Sequence, residues 1–257
     1  MEEKRRMSLI KKFWTILAIT VIVTACLFTQ IPNNAQAGQE VVEAKVRSAL
    51  RDIAGIDVNK YNITVISYRS TPIPGDEASY RGEEDIQLRL ESRDNRLSVI
   101  AQYLNNRIVS MNLRILEGSP STIHYTNKLS SDPVVATREF LYRLKTFTGN
   151  PSIVEMQQIF ETVDNLEMAN KTVGNIECRV TIPVNPVNRD VRSSTVKVAF
   201  IYAWNGIGTQ RNLGIRFEDG LFSGFGDSWD MYLVADVDVT ISREQAINVA
   251  REQAIAT

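Results

Sequence analysis

The chain has 257 residues, 44% of them hydrophobic and 23% charged, and its formal net charge is -1. That is an ordinary globular composition, enough for one large domain or two small ones. There is no long like-charge run and no basic excess of the kind that nucleic-acid binding demands, so nucleic acid is excluded as the expected partner.

The first 37 residues differ from the rest. Lys4, Arg5, Arg6, Lys11 and Lys12 precede the uncharged run Phe13–Phe28, which is followed by polar residues and then Ala35-Gln36-Ala37-Gly38. A basic segment, an apolar segment and an A-x-A site together read as a secretory signal peptide cleaved between Ala37 and Gly38. Retention of residues 13–28 as a membrane anchor is the alternative, sixteen residues being short for a span. Val23-Thr24-Ala25-Cys26 also resembles a bacterial lipobox, although the apolar run continues past it. In each case the basic flank keeps the N-terminus inside and the body outside. The expected location is therefore extracytoplasmic, secreted or anchored, with membrane contact only through this segment. Without residues 1–37 the body holds 24 basic and 28 acidic residues, a net of -4. Of the two cysteines only Cys178 then remains, so no intramolecular disulfide is expected. Cys178 reads as a buried strand residue, or more sharply as half of a mixed disulfide with a partner.

In the body, Val42, Val46, Ala49, Leu50 and Ile53 fall on one face of a helix over Glu40–Ala54, with Gly55 as its stop. Tyr61–Arg69 suits a strand, Ser70–Glu83 a loop, and Asp85–Glu91 alternates as a half-buried strand. Leu97–Leu104 and Ile108–Leu116 flank Asn105-Asn106, a hairpin turn, since Asn tolerates positive φ. Asp132-Pro133 is a helix entry, and Ala136, Phe140, Leu141, Leu144 and Phe147 form its apolar face. Ser152 with Glu155 reads as a capping box opening another helix. Strands are expected at Ile176–Ile182, Val196–Trp204, Leu213–Phe217, Leu221–Phe225 and Trp229–Ala235, with turns at Asn205-Gly206 and Asp219-Gly220. Helix entries near Gln39, Asp132 and Ser242 divide the chain into a first unit at 38–118, a linker at 119–131, a second unit at 132–238 and a C-terminal helix at 239–257. The expected class is α+β, as two helix-plus-antiparallel-sheet units and the possible start of a third.

Candidate chemistry is sparse. His124 is the one histidine; it lies in a stretch that reads as linker, no G-x-S-x-G elbow accompanies it, and it is expected as an exposed loop histidine. One His and one body Cys do not make an ordinary zinc site. Gly206-Ile207-Gly208 and Gly224-Phe225-Gly226 lack the third glycine of a dinucleotide fingerprint and read as turn chemistry. Phe217–Asp238 concentrates aromatics and aspartates. It reads as two strands with inward aromatics and turn aspartates, against the sharper alternatives of a sugar, peptide or Ca²⁺ surface. No catalytic residue, metal ligand or cofactor is expected. Asn62-Ile63-Thr64 and Asn170-Lys171-Thr172 make Asn62 and Asn170 candidate glycosylation acceptors in an exported protein, although such triplets also arise by chance.

Ile241-Ser242-Arg243-Glu244-Gln245-Ala246-Ile247-Asn248-Val249-Ala250 resembles the opening helix of PepSY-type modules, and the hairpins Leu97–Leu116 and Leu213–Phe225 look like the strands that close them. The resemblance implies small α+β units in exported or membrane-attached proteins, linked to binding or to peptidase inhibition and contributing no catalytic residue. The expected function is an extracytoplasmic, non-enzymatic binding or regulatory protein whose partner is a protein, a peptide or a cell-envelope component. A structural surface protein is the alternative. An exported hydrolase using carboxylates such as Asp227 and Asp230 is a further one.

Overall fold

The computed structural model describes residues 38–72, 82–182, 194–204 and 206–229, with Ile247 alone beyond them. The leader, the strand expected at Trp229–Ala235 beyond its first residue, and the C-terminal helix beyond Ile247 lie outside the described residues. Among those residues no helix is long and apolar enough to cross a membrane.

A first helix, α1, occupies residues 38–52. Its expected face is the buried one: Val42, Val46, Ala49, Leu50 and Ile53 are nearly inaccessible. Gly55 ends it at φ 73, where a side chain would run into the Asn127 carbonyl. Strands β1 (Asn62–Pro72), β2 (Gly82–Glu91), β3 (Arg96–Leu104) and β4 (Arg107–Glu117) then form an antiparallel meander. Asn105 and Asn106, at φ 52 and 66, make the left-handed turn between β3 and β4.

The stretch 119–131 is a packed strap. Ile123 and Leu129 are buried. Asp57 N–H donates to the His124 carbonyl at 3.0 Å, and Thr126 N–H donates to the Gly55 carbonyl at 2.9 Å. Arg143 Nη1 clamps the strap from the next helix, donating to Asn127 O at 2.8 Å.

Helix α2 (Pro133–Thr148) starts as its sequence dictates. Asp132 Oδ1 accepts from the N–H groups of Val134 and Val135 at 2.8 and 3.0 Å, and Gly149 closes the helix at φ 68. Helix α3 (Ser152–Glu161) corrects the expected capping box. Pro151 already has helical dihedrals, so Ser152 falls one position inside the helix, and its N–H donates to Asn150 Oδ1 at 3.0 Å. Strands β5 (Lys171–Val173), β6 (Ile176–Thr181), β7 (Thr195–Trp204), β8 (Ile207–Glu218) and β9 (Leu221–Asp227) complete the described elements. The short β5 was not expected, and β8 begins six residues before the expected Leu213.

The expectation of two helix-plus-sheet units is overturned. All nine strands belong to one antiparallel sheet in the order β1-β2-β3-β4-β9-β8-β7-β6-β5, and the buried apolar residues form one continuous cluster. The joint is β4 against β9, through Ser110↔Gly226, Met111↔Phe225 and Asn112↔Gly224. Consecutive strands and their turns are local features of a sequence; which outer edge meets which is not. Two open edges carry unpaired N–H and C=O groups, and joining them satisfies both. Among the described residues the helices cover one face only. Phe140 of α2 stacks on Phe222 of β9 at a centroid distance of 5.2 Å and meets Phe225 at a tilt at 5.4 Å, and Phe160 of α3 meets Phe200 of β7 edge-on at 5.9 Å.

Candidate functional site

Strand alternation sends Met111, Ile215, Phe225 and Val198 into the core. It leaves Ser110, Asn112, Gly214, Arg216, Gly224, Gly226, Lys197 and Ala199 on the opposite face, which is helix-free among the described residues. At the middle of that face Ser110, Gly226, Gly214 and Ala199 stand side by side on β4, β9, β8 and β7. None carries a side chain beyond a methyl or hydroxymethyl group, so the sheet surface drops there into a trough. Two hollows, about 590 and 320 Å³, share Gly214 and Gly226 as floor. Glu83, Gln102 and Asn212 wall the larger one; Asn112, Arg216 and Lys197 line the smaller.

Glycine weakens a strand interior by about 0.5–1 kcal/mol, and where it recurs it marks a bulge or a close approach. Gly224 is explained by the protein itself: a Cβ there would lie 2.6 Å from the Met111 carbonyl and 2.8 Å from Asn112 Oδ1. Gly214 and Gly226 are not, because a Cβ at either would meet nothing within 4 Å. Among the described residues the space above them is open.

Arg216 crosses Gly224. Its Nη2 donates to Asn112 Oδ1 at 3.1 Å and its Nε to Ser223 Oγ at 2.9 Å, while Glu218 lies 3.3 Å away. The guanidinium thus spans the joint from β8 to β4 and roofs Gly224, which is buried. At the far end of the joint Arg107 pairs with Asp227 at 2.6 Å. Below the three paired residues β4 and β9 part around a third hollow of about 240 Å³, between Arg114 and Glu218.

The residues singled out in sequence divide as follows. Asp227 is 2% exposed at its side chain, and its Oδ1 accepts from Trp229 N–H at 2.9 Å; it closes the joint at the edge of the larger hollow as an ion-paired carboxylate, not a free one. Asp219 makes the β8–β9 turn at φ 52. Phe217, Phe222 and Phe225 are core, and Trp229 is buried beside Arg211, whose guanidinium lies 5.6 Å from its ring and 4.9 Å from that of Tyr202. Asp230, Tyr232, Asp236 and Asp238 lie outside the described residues, as does Ala37; Gly38 opens α1. His124 is half-buried, its ring edge-on to Tyr61 at 5.5 Å, so it is a packing residue of the strap and not an open loop histidine. Cys178 is 1% exposed in β6, and burial pushes its thiol up to about 12. Asn62 is exposed at the start of edge strand β1. Asn170 is also exposed, but its Oδ1 accepts from Val180 N–H at 2.6 Å. Among the described residues no group of three or more His, Cys, Asp or Glu side chains could hold a metal ion.

The trough itself was missed in sequence. Gly224-Phe225-Gly226 reads there as turn chemistry at the end of the expected strand Leu221–Phe225, whereas β9 runs to Asp227 and holds both glycines in its interior. A spacing of two puts them on one face of a strand, and that was the available signal. No family model, curated protein or solved structure matches the chain.

Proposed function

We propose that the chain is an exported, non-catalytic binding module that receives a partner on the helix-free face of its sheet. One observation carries the reading: the trough over Gly214 and Gly226, where two strand interiors give up side chains with no neighbour of their own to accommodate. The charge-bounded apolar leader supports an extracytoplasmic place of work, and Ile241–Ala250 supports a PepSY-like character, whose modules bind and do not catalyse. The partner is a protein, peptide or cell-envelope component.

The test uses Gly214→Leu and Gly226→Leu, which fill the trough where space is open. Immobilised full chain is challenged with cell-envelope extract, and captured material is compared between native protein and the filled variants. Capture by the native chain and its loss in both variants is expected. Equal capture by all three, or none by the native chain, overturns the reading. Circular dichroism establishes that the variants are folded.

A further inference from the structure

We infer that the segment received on this face is an acidic peptide in extended conformation, lying across the strands; this rests on the binding reading above and gives its partner a chemistry. The body of the protein is net acidic, at -4 for residues 38–257. Against that background the helix-free face carries a line of cations. Arg89 of β2 and Arg114 of β4 share one register row through Ser98 of β3. Arg216 of β8 and Lys197 of β7 share the adjacent row through Asn112 and Gly224.

Arg89, Arg114 and Lys197 are exposed and have no carboxylate partner among the described residues. Other basic residues of the face are already matched: Arg69 with Asp85, Arg96 with Glu91 and Glu117, Arg179 with Glu177. Glu218 stands beside Arg216, and Glu91 and Glu117, both held by Arg96, occupy the row next to Arg89 and Arg114. Arg114, Lys197 and the half-matched Arg216 therefore stand at the two smaller hollows and Arg89 beyond them, while Glu83 walls the larger hollow. Arg114 borders the 240 Å³ hollow, and Arg216 and Lys197 border the 320 Å³ one.

The spacing suits a peptide. From β2 to β7 the sheet order gives five strand intervals, about 24 Å at roughly 4.8 Å each. An extended chain rising about 3.4 Å per residue crosses that distance in about seven residues. Carboxylates about three and then about four positions apart meet Arg89, Arg114 and Lys197 in turn. Small side chains fit the shallow floor between them, where Ile100 is the exposed apolar contact.

The probe is a fluorescein-labelled octapeptide of alternating Glu and Thr, titrated with the full chain and followed by anisotropy at low salt. A Lys-Thr octapeptide and dextran sulfate are run alongside. The face variant is Arg89→Gln with Arg114→Gln and Lys197→Gln. The charge-matched control is Arg51→Gln with Lys60→Gln and Lys145→Gln, all exposed and away from this face. Binding of the Glu-Thr peptide is expected to weaken about tenfold or more in the face variant and less than about twofold in the control. Equal weakening in both variants, no binding of the Glu-Thr peptide, or tighter binding of the Lys-Thr peptide overturns the inference. Dextran sulfate binding as tightly, with the same loss in the face variant, overturns the peptide in favour of an anionic glycan. Capture from envelope extract that Gly226→Leu abolishes and the face variant leaves intact would remove the acidic chemistry and keep the binding module.

Discussion

Replacing each of three neighbouring glycines by alanine should move stability in opposite directions. At Gly224 the new Cβ would sit 2.6 Å from a backbone carbonyl of β4, which cannot rotate aside. Overpacking of this kind costs about 1–3 kcal/mol, and the relief of glycine's excess entropy returns about 0.5–1 kcal/mol. The net for Gly224→Ala is a loss of about 1–2 kcal/mol, since β9 must back away from β4 at a joint only three residue pairs long. At Gly214 and Gly226 the Cβ meets nothing, so each substitution keeps only the entropic gain, about 0.5 kcal/mol. Urea unfolding followed by tryptophan fluorescence separates the two cases. With a slope of about 2.5 kcal/mol per molar, the midpoint falls by about 0.6 M for Gly224→Ala and rises by about 0.2 M for each of the others. A midpoint for Gly224→Ala at or above that of the native chain, or losses of equal size at all three positions, would refute this account of the joint and the trough.

Phe140 is fully buried between α2 and β9, and Phe140→Ala is expected to cost about 3–5 kcal/mol. Because the core is continuous, that loss should appear in one transition; two separated transitions in calorimetry would contradict a single sheet. At the Arg107–Asp227 pair the two truncations are unequal. Arg107→Met leaves a carboxylate that is 2% exposed without its guanidinium, at about 3 kcal/mol, whereas Asp227→Asn leaves an arginine that is 27% exposed and able to reach water, at about 1–2 kcal/mol. Denaturant midpoints in reverse order would refute the assignment. The Cys178 thiol is raised from 9.0 to about 12 by burial, so its neutral form is favoured in the fold. Its contribution is complete below pH 9 and is lost as pH rises from 9 towards 12, at up to about 1.4 kcal/mol per pH unit. Cys178→Ala should therefore lose less stability than the native chain between pH 9 and 10.5, and the native thiol should resist iodoacetamide at pH 8 until the protein is unfolded.

Features that depend on neighbours in sequence could be read from it. The α1 stripe, the Asp132 cap and the Asn105-Asn106 and Asp219-Gly220 turns are where residue chemistry places them. Features that depend on distant partners could not. Nothing near Asn112 announces Gly224, and the fold class failed at that contact. His124 in its Ser- and Thr-rich stretch looks like linker, yet Gly55 and Arg143 supply the partners that fix the strap. The trough lay between these cases, since the period-two glycines of β9 are visible but the strands beside them are not. The cation line is assembled from four strands, with Arg89 and Lys197 more than a hundred positions apart, and only the sheet order brings it together.

The joint also sets a timetable. Asn112 and Gly224 are about 110 residues apart in the chain, so at roughly 5–20 residues per second β4 is made some 5–20 s before its neighbour exists. For that interval the edge of β4 is an open template for any passing strand. The residues it presents on the helix-free face, Ser110, Asn112 and Arg114, are polar or charged, which is how edges are kept from pairing with strangers. The polarity that later borders the trough would thus first serve as protection for a nascent chain waiting for its second half.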